Sequence, residues 1–482
     1  MLFTSLQFAA FFALTLLLFY AAPAKGQRLV LLCANYVFYM WVKPVFGLLL
    51  LLGTLVTYLA ARLTDVRALG LRRTWTALGA VCMLGQLALF KYADFFLSGL
   101  GFLFRWDNTP ALGLLLPIGI SFYSFAAAGY LFDVHRGKLA AERNFLTFAV
   151  FLSFFPSILS GPIPRARELL PQLRQHRTPD FPAMRQGLMR FVRGAAKKLV
   201  VSDALAVVVN TAYAAPESFT GGQWLFAVCI YSLYIYLDFS AYTDMAVGAG
   251  KTLGYTLPEN FRAPYCARTV QDFWRRWHIS LTSWFREYLF FPLGGSRCGR
   301  ARTYLNILIV FAVSGLWHGA AVTFVVWGVL NGVYQLAGQY TAPARNRIRS
   351  RLGIREDALW LQLWQTAAVF ALMTAAWIFF RAADMDQAVF IIKRILLIVR
   401  DGFGDQSLLA MGLSTRQMLV TAVFLLLCLA EDLRIHKGKA LPCFENRPFL
   451  YCLTLAVLLA VIALFGAYGA DFNQNEFVYF QF

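Results

Sequence analysis

Apolar stretches long enough to cross a bilayer recur from end to end of this 482-residue chain. Each crossing needs a helix of about 20 predominantly apolar residues. The pattern predicts spans over Leu2–Tyr20, Val45–Ala61, Trp75–Phe90, Leu112–Leu131, Phe145–Ser160, Trp224–Leu237, Leu305–Gly338, Leu361–Phe380, Met418–Ala430 and Leu450–Phe465. Some of these are too short or too long for one simple crossing, so the expectation is about 11 spans, several of them broken or tilted. The fold class expected is an all-α polytopic membrane protein, one continuous domain over residues 1–482 with no appended soluble domain and no internal repeat.

One stretch departs from this pattern. In Thr269–Phe291, TVQDFWRRWHISLTSWFREYLFF, residues Trp274, His278, Leu281 and Phe285 fall at helical spacing on a single face. Arg275, Arg276, Arg286 and Glu287 lie largely elsewhere. A helix so rich in Trp and Arg is expected at a membrane interface or re-entering from one side, ending at Pro292-Leu293-Gly294-Gly295-Ser296. The long polar stretch Pro162–Lys198, with five prolines from Pro162 to Pro182, is expected to begin as a loop.

Composition sharpens the class. Hydrophobic residues make up 59% of the chain and charged ones 14%, against roughly a quarter charged in soluble domains. The net charge of +19 lies in short connections: Arg62 to Arg73, Arg165 to Lys198, Arg262 to Arg302, Arg345 to Arg355 and Arg434 to Arg447. Such placement reflects the positive-inside bias and anionic lipid headgroups, so membrane lipids are the partner and nucleic acid is not. At the N-terminus, Ala22-Pro23-Ala24 resembles a cleavage site, but the first cations, Lys25 and Arg28, follow the apolar run. A secretory signal carries its charge in front, so an uncleaved first span is expected, with its N-terminus outside.

The eight cysteines form no CxxC pair and the five histidines lack ligand spacing, so neither a disulfide framework nor a metal site is expected. Gly248–Thr252 resembles the end of a P-loop, but Met245 stands where its first glycine is required. No GxSxG elbow occurs.

Three places hold candidate chemistry. His318 lies in an apolar run with no charged side chain between Tyr304 and Arg345. An ionisable group at membrane depth marks a functional site by default. Burial favours its neutral form, which accepts a proton. Gly315 and Gly319 are expected to let a substrate approach the backbone closely. The bland alternative is a histidine bridging packed helices. His278 is either a second functional histidine or an interfacial side chain that snorkels, and the nearby Asp272, Arg275 and Arg276 are equally suited to anchoring headgroups. Asp238 and Asp244, six residues apart in an apolar setting, need partners. They serve either ion conduction, as in a proton-coupled transporter, or the tying of helices through Ser240, Tyr242 or arginines, which is the favoured reading.

Seven motifs, in order, resemble the membrane-bound O-acyltransferase (MBOAT) family, in the bacterial branch of alginate O-acetylation and teichoic-acid D-alanyl transfer. They are LPIGISFYSFAAAGYLFDVHRG (Leu116–Gly137), FPSILSGPIPRARELLPQL (Phe155–Leu173), YSLYIYLDFSAYTDMAVGAGKTLGY (Tyr231–Tyr255), PENFRAPY (Pro258–Tyr265), DFWRRWHISLTSWFREYLFFPLGGSR (Asp272–Arg297), SGLWHGA (Ser314–Ala320) and AWIFFRA (Ala376–Ala382). Together they make residues 116–382 the motif core, and the closing FVYFQF resembles the alginate branch.

The resemblance implies a ring of tilted helices around a tunnel. Through it an acyl donor reaches the family's histidine, which falls on His318, with a second on His278. It implies a multi-pass protein of the bacterial inner or plasma membrane. Trp317, Trp277, Asp272, Arg276 and Asp238 are expected to wall or orient the site. No permanently bound cofactor is expected, only a cytoplasmic acyl-thioester donor (acetyl-CoA or an acyl carrier) as substrate. Arg345–Arg355 is placed where donor phosphates would dock, although the positive-inside bias explains that run equally well. An extracytoplasmic, hydrolase-like acyltransferase is the expected partner that acylates the polymer. The implied activity is O-acetylation of an exported polysaccharide, with D-alanyl transfer as the alternative.

Overall fold

The computed structural model describes residues 1–41, 43–65, 70–106, 111–402, 411–439, 441–466 and 477. Every regular element among them is helical, an arrangement that satisfies the backbone groups within each segment where no water is present to do so. Five of the described helices are long and apolar enough to cross a membrane: Val45–Asp65, Arg72–Gly101, Gly221–Thr252, Leu359–Arg381 and Pro448–Phe465. The figure of about 11 spans remains an expectation. The C-terminal motif lies outside the described residues apart from Phe477.

The chain divides into two compact units, the first made of Met1–Ala195, Tyr242–Glu259 and Cys443–Leu455 and the second of Ala196–Ala241, Asn260–Pro442 and Ala456–Phe482. In the first unit, three sequence expectations are corrected. The span expected over Leu112–Leu131 becomes a helix only at Ile120. Pro117 has no N–H to give, and Gly119 sits at φ +81° as the N-cap, where a Cβ would come within 2.4 Å of the Ile158 carbonyl oxygen. The stretch Phe145–Ser160 breaks at Phe154 into helices Phe145–Ser153 and Phe155–Ile158. The buried Asn35 side chain holds that break, accepting from the Phe155 N–H and donating to Ser153 Oγ. The helix Ala24–Met40 was not anticipated. Its buried Gln27 and Asn35 lower its apolarity, yet both are hydrogen-bonded, Gln27 to the main chain of Arg177 in both directions.

Asp244 resolves in this same unit. Arg190 Nε donates to it at 3.0 Å, while both terminal nitrogens of Arg190 meet Glu259 at 2.6 Å. The loop beginning at Pro162 is as expected, with helices resuming at Ala166 and Phe181.

The second unit packs around aromatic side chains, among them Trp224, Trp274, Trp277, Trp327 and Trp377, all buried. The run Leu305–Gly338 folds as a hairpin of helices Arg300–His318 and Val322–Arg351. A Cβ on Gly315 would lie 2.2 Å from the Phe324 carbonyl oxygen, and one on Gly328 2.3 Å from that of Phe311. Inside a bilayer, where apolar burial drives little helix association, small residues that admit such contact hold helices together.

Candidate functional site

Within the second unit, the hairpin turn and a broken aromatic segment bring two histidines together. His318 is the last residue of its helix and is buried. Its ring is walled by Trp317 at 4.9 Å, Trp327 at 5.1 Å and Phe380 at 5.3 Å between ring centroids. Trp327 stacks in turn on Trp377, 5.5 Å away. The imidazole of His278 lies 6.5 Å from that of His318 and sits edge-on to Phe239 at 4.8 Å. Trp317 touches both histidines, at 6.1 Å from His278.

The segment Thr269–Phe291 is not one helical face. It breaks into helices Val270–Arg276 and Ile279–Phe285, with Trp277 extended and His278 left-handed at φ 44°, ψ 53°. The cause is a competing partner for the backbone. Arg262 N–H donates to the Arg276 carbonyl, and the Asn260 carbonyl accepts from Ile279 N–H. A non-glycine residue in this conformation costs about 1–3 kcal/mol and persists where its surroundings over-determine it, as they do at active sites. His278 lies outside the five crossing helices, and complete burial pushes its imidazolium down, to about 3. The ring is therefore neutral at ordinary pH.

Other residues expected at the site stand differently. Trp277 is buried but packs on Trp377 at 5.1 Å and Phe261 at 5.1 Å, and Trp377 in turn touches Trp327 and Phe380, which wall His318. Asp272 and Arg276 pair with each other at 2.9 Å, and Arg276 Nη1 lies 3.0 Å from Nδ1 of His436. Asp238 is engaged by Lys198 at 2.7 Å and by Ser202 Oγ at 2.9 Å, with Asp203 also on Lys198 at 2.9 Å. Both candidate carboxylates thus meet cations within their own units, the helix-tying arrangement, although the partner of Asp238 is a lysine. Gly315 and Gly319 are corrected as well. Their faces are filled by the backbone and ring of Phe324, so protein occupies the space expected for substrate.

Sequence reasoning assigned no role to Trp327, Phe380, Phe239 or Asn260. Signals were present: Trp327 lies in the same apolar run as His318, Phe380 in AWIFFRA and Asn260 in PENFRAPY. Their roles depend on which helices meet, and that is not periodic information.

The profile of the membrane-bound O-acyltransferase family matches residues 29–382. The chain belongs to the membrane-bound O-acyltransferase family. It is similar to the protein named "Probable alginate O-acetylase AlgI" of Azotobacter vinelandii, with 38% identity over 78% of this chain and 74% of that protein. Identity to the "Peptidoglycan O-acetyltransferase" of Helicobacter pylori is 31%, over 78% of this chain and 74% of the relative. To the "Teichoic acid D-alanyltransferase" of Bacillus subtilis it is 28%, over 46% and 59%. This MBOAT member is a membrane-bound O-acyltransferase, and the buried histidine pair is its candidate reaction centre.

Proposed function

We propose that this MBOAT protein transfers an acetyl group from a cytoplasmic thioester for the O-acetylation of an exported or cell-surface polysaccharide, working in the bacterial cell membrane. The carrying observation is the pair His318 and His278, 6.5 Å apart among aromatic rings. The relatives named for O-acetylation cover more of the chain than the relative named for D-alanyl transfer.

The hydroxyl oxygen of the acceptor attacks the thioester carbonyl, forming the C–O bond. His318 takes the hydroxyl proton as general base. When the tetrahedral intermediate collapses, the C–S bond breaks and His318 returns the proton to the thiolate. Trp317, Trp327 and Phe380 around His318 keep out water, which would otherwise hydrolyse the thioester. The acceptor hydroxyl belongs to a serine on an extracytoplasmic partner, which then acylates the sugar.

The test uses the full chain reconstituted in sealed proteoliposomes, with the partner protein enclosed in the lumen and labelled acetyl-CoA supplied outside. Label should appear as an ester on the partner and be lost in His318→Ala. Transfer of D-alanine but not acetate from its carrier thioester would reject the acetyl assignment. Equal acetyl transfer by His318→Ala would reject the mechanism.

A further inference from the structure

We propose that Asn260 is a positioning residue that holds His278 as its Nδ1–H tautomer, leaving Nε2 as a lone-pair acceptor. Three groups converge on Oδ1 of the fully buried Asn260. They are the main-chain N–H of Ser280 at 3.2 Å, Ser280 Oγ at 2.6 Å and Nδ1 of His278 at 3.3 Å. Amide oxygen and nitrogen are normally distinguished only by their hydrogen-bond network. Here the network decides, because a main-chain N–H can only donate. Reversing the amide would set the NH2 group against the Ser280 N–H, donor to donor. The orientation is kept even though Nδ2 meets no acceptor among the described residues, a cost of about 1–3 kcal/mol for a buried donor.

With oxygen facing Nδ1, that nitrogen must carry the hydrogen for the contact to be attractive. A neutral imidazole has one N–H, so Nε2 is bare. Asn260 acts on the same histidine through its backbone as well, since its carbonyl accepts from Ile279 N–H and holds the left-handed turn at His278. One residue sets both where the ring stands and which of its nitrogens is basic.

The chemical consequence, which rests on the acyl-transfer reading above, is that His278 enters the reaction as an acceptor. Bare Nε2 has no hydrogen to offer a developing oxyanion, so it does not bind the thioester carbonyl. Its partner in the transfer is a proton donor.

Nitrogen-15 solid-state NMR of histidine-labelled protein in lipid bilayers tests the tautomer directly, with His278→Gln used to assign the resonances. The expected result is a protonated Nδ1 and a bare Nε2 at His278, and a protonated Nε2 in the wild type would overturn the proposal. Asn260→Leu should populate the other tautomer and lower kcat by about 100-fold with little change in KM, the low end of what a positioned acid–base group contributes. Asn260→Asp, which keeps an acceptor, should restore the Nδ1–H signal and part of kcat. An unchanged tautomer in Asn260→Leu would remove Asn260 from the role. If that variant does not accumulate, the wild-type spectrum and Asn260→Asp still decide. The spectrum requires no turnover, so the expected tautomer in a protein unable to transfer acetyl would reject the functional reading and leave this one standing.

Discussion

The imidazole rings of His278 and His318 stand 6.5 Å apart with their planes at 57°, and Trp317 is in contact with both. Forty positions of sequence separate them, and the packing of the Thr269–Phe291 segment on the Arg300–Arg351 hairpin, with Trp274 against Phe311 and Trp327, makes them neighbours. If they act as one unit, their substitutions are non-additive. His318→Ala should abolish transfer with protein level in the membrane unchanged, and His278→Gln should lose a large part but not all. The double variant should be no worse than His318→Ala. Acetyl-ester content beside membrane protein level measures this; full activity of His278→Gln with an inactive His318→Gln would reduce His278 to packing.

Burial of neutral His278 links stability to pH. Its folded value is lowered to about 3 from 6.5, so the unfolded chain binds an extra proton between those values. The stabilisation is complete above 6.5 and is lost as pH falls towards 3, with a slope of up to about 1.4 kcal/mol per pH unit from this group. Thermal unfolding in detergent from pH 7.5 down to 4.5 should show a steeper loss for wild type than for His278→Gln. Parallel curves would mean the ring is solvated.

The buried cluster of Lys198, Asp203 and Asp238 should respond unevenly to substitution. Lys198→Met leaves two carboxylates without their cation, and breaking a buried pair in this way costs about 3–5 kcal/mol. Adding Asp203→Asn and Asp238→Asn to it should recover most of that loss. A drop in Tm that the triple variant does not relieve would show that lysine packing, not charge, is what matters.

Gly315→Ala should separate the two helices of the hairpin, because its methyl group would meet the Phe324 carbonyl oxygen at 2.2 Å. Overpacking of this kind costs about 1–3 kcal/mol. Gly338→Ala on the same hairpin, where a Cβ meets nothing within 4 Å, should be neutral to stabilising by up to about 1 kcal/mol. Equal Tm values for the two would contradict the close packing.

The protein should need a partner to acetylate sugar. Purified alone with thioester and oligosaccharide it should form little sugar ester, and thioester consumption should rise when the partner is added. Efficient sugar acetylation by the isolated chain would defeat this division of labour.

Much of this was legible in the linear sequence. Hydrophobic run length dictated a helical membrane protein, because continuous apolar runs of about 20 residues fit helical crossings, whereas barrel strands are about 10 residues long and alternate. A lone histidine in forty uncharged residues marked His318, and the ordered motifs marked the family. What the chain could not show was competition for hydrogen bonds between distant segments. The helical face through Trp274 and His278 is real in its spacing, yet Asn260 and Arg262 take the backbone groups that would have continued the helix. Gly315 and Gly319 look equally suited to a substrate or to a second helix, and only the position of Phe324 decides between them. Asp238 announced that it needed a partner, but a side chain's partner is fixed by packing in three dimensions, and there it proved to be Lys198.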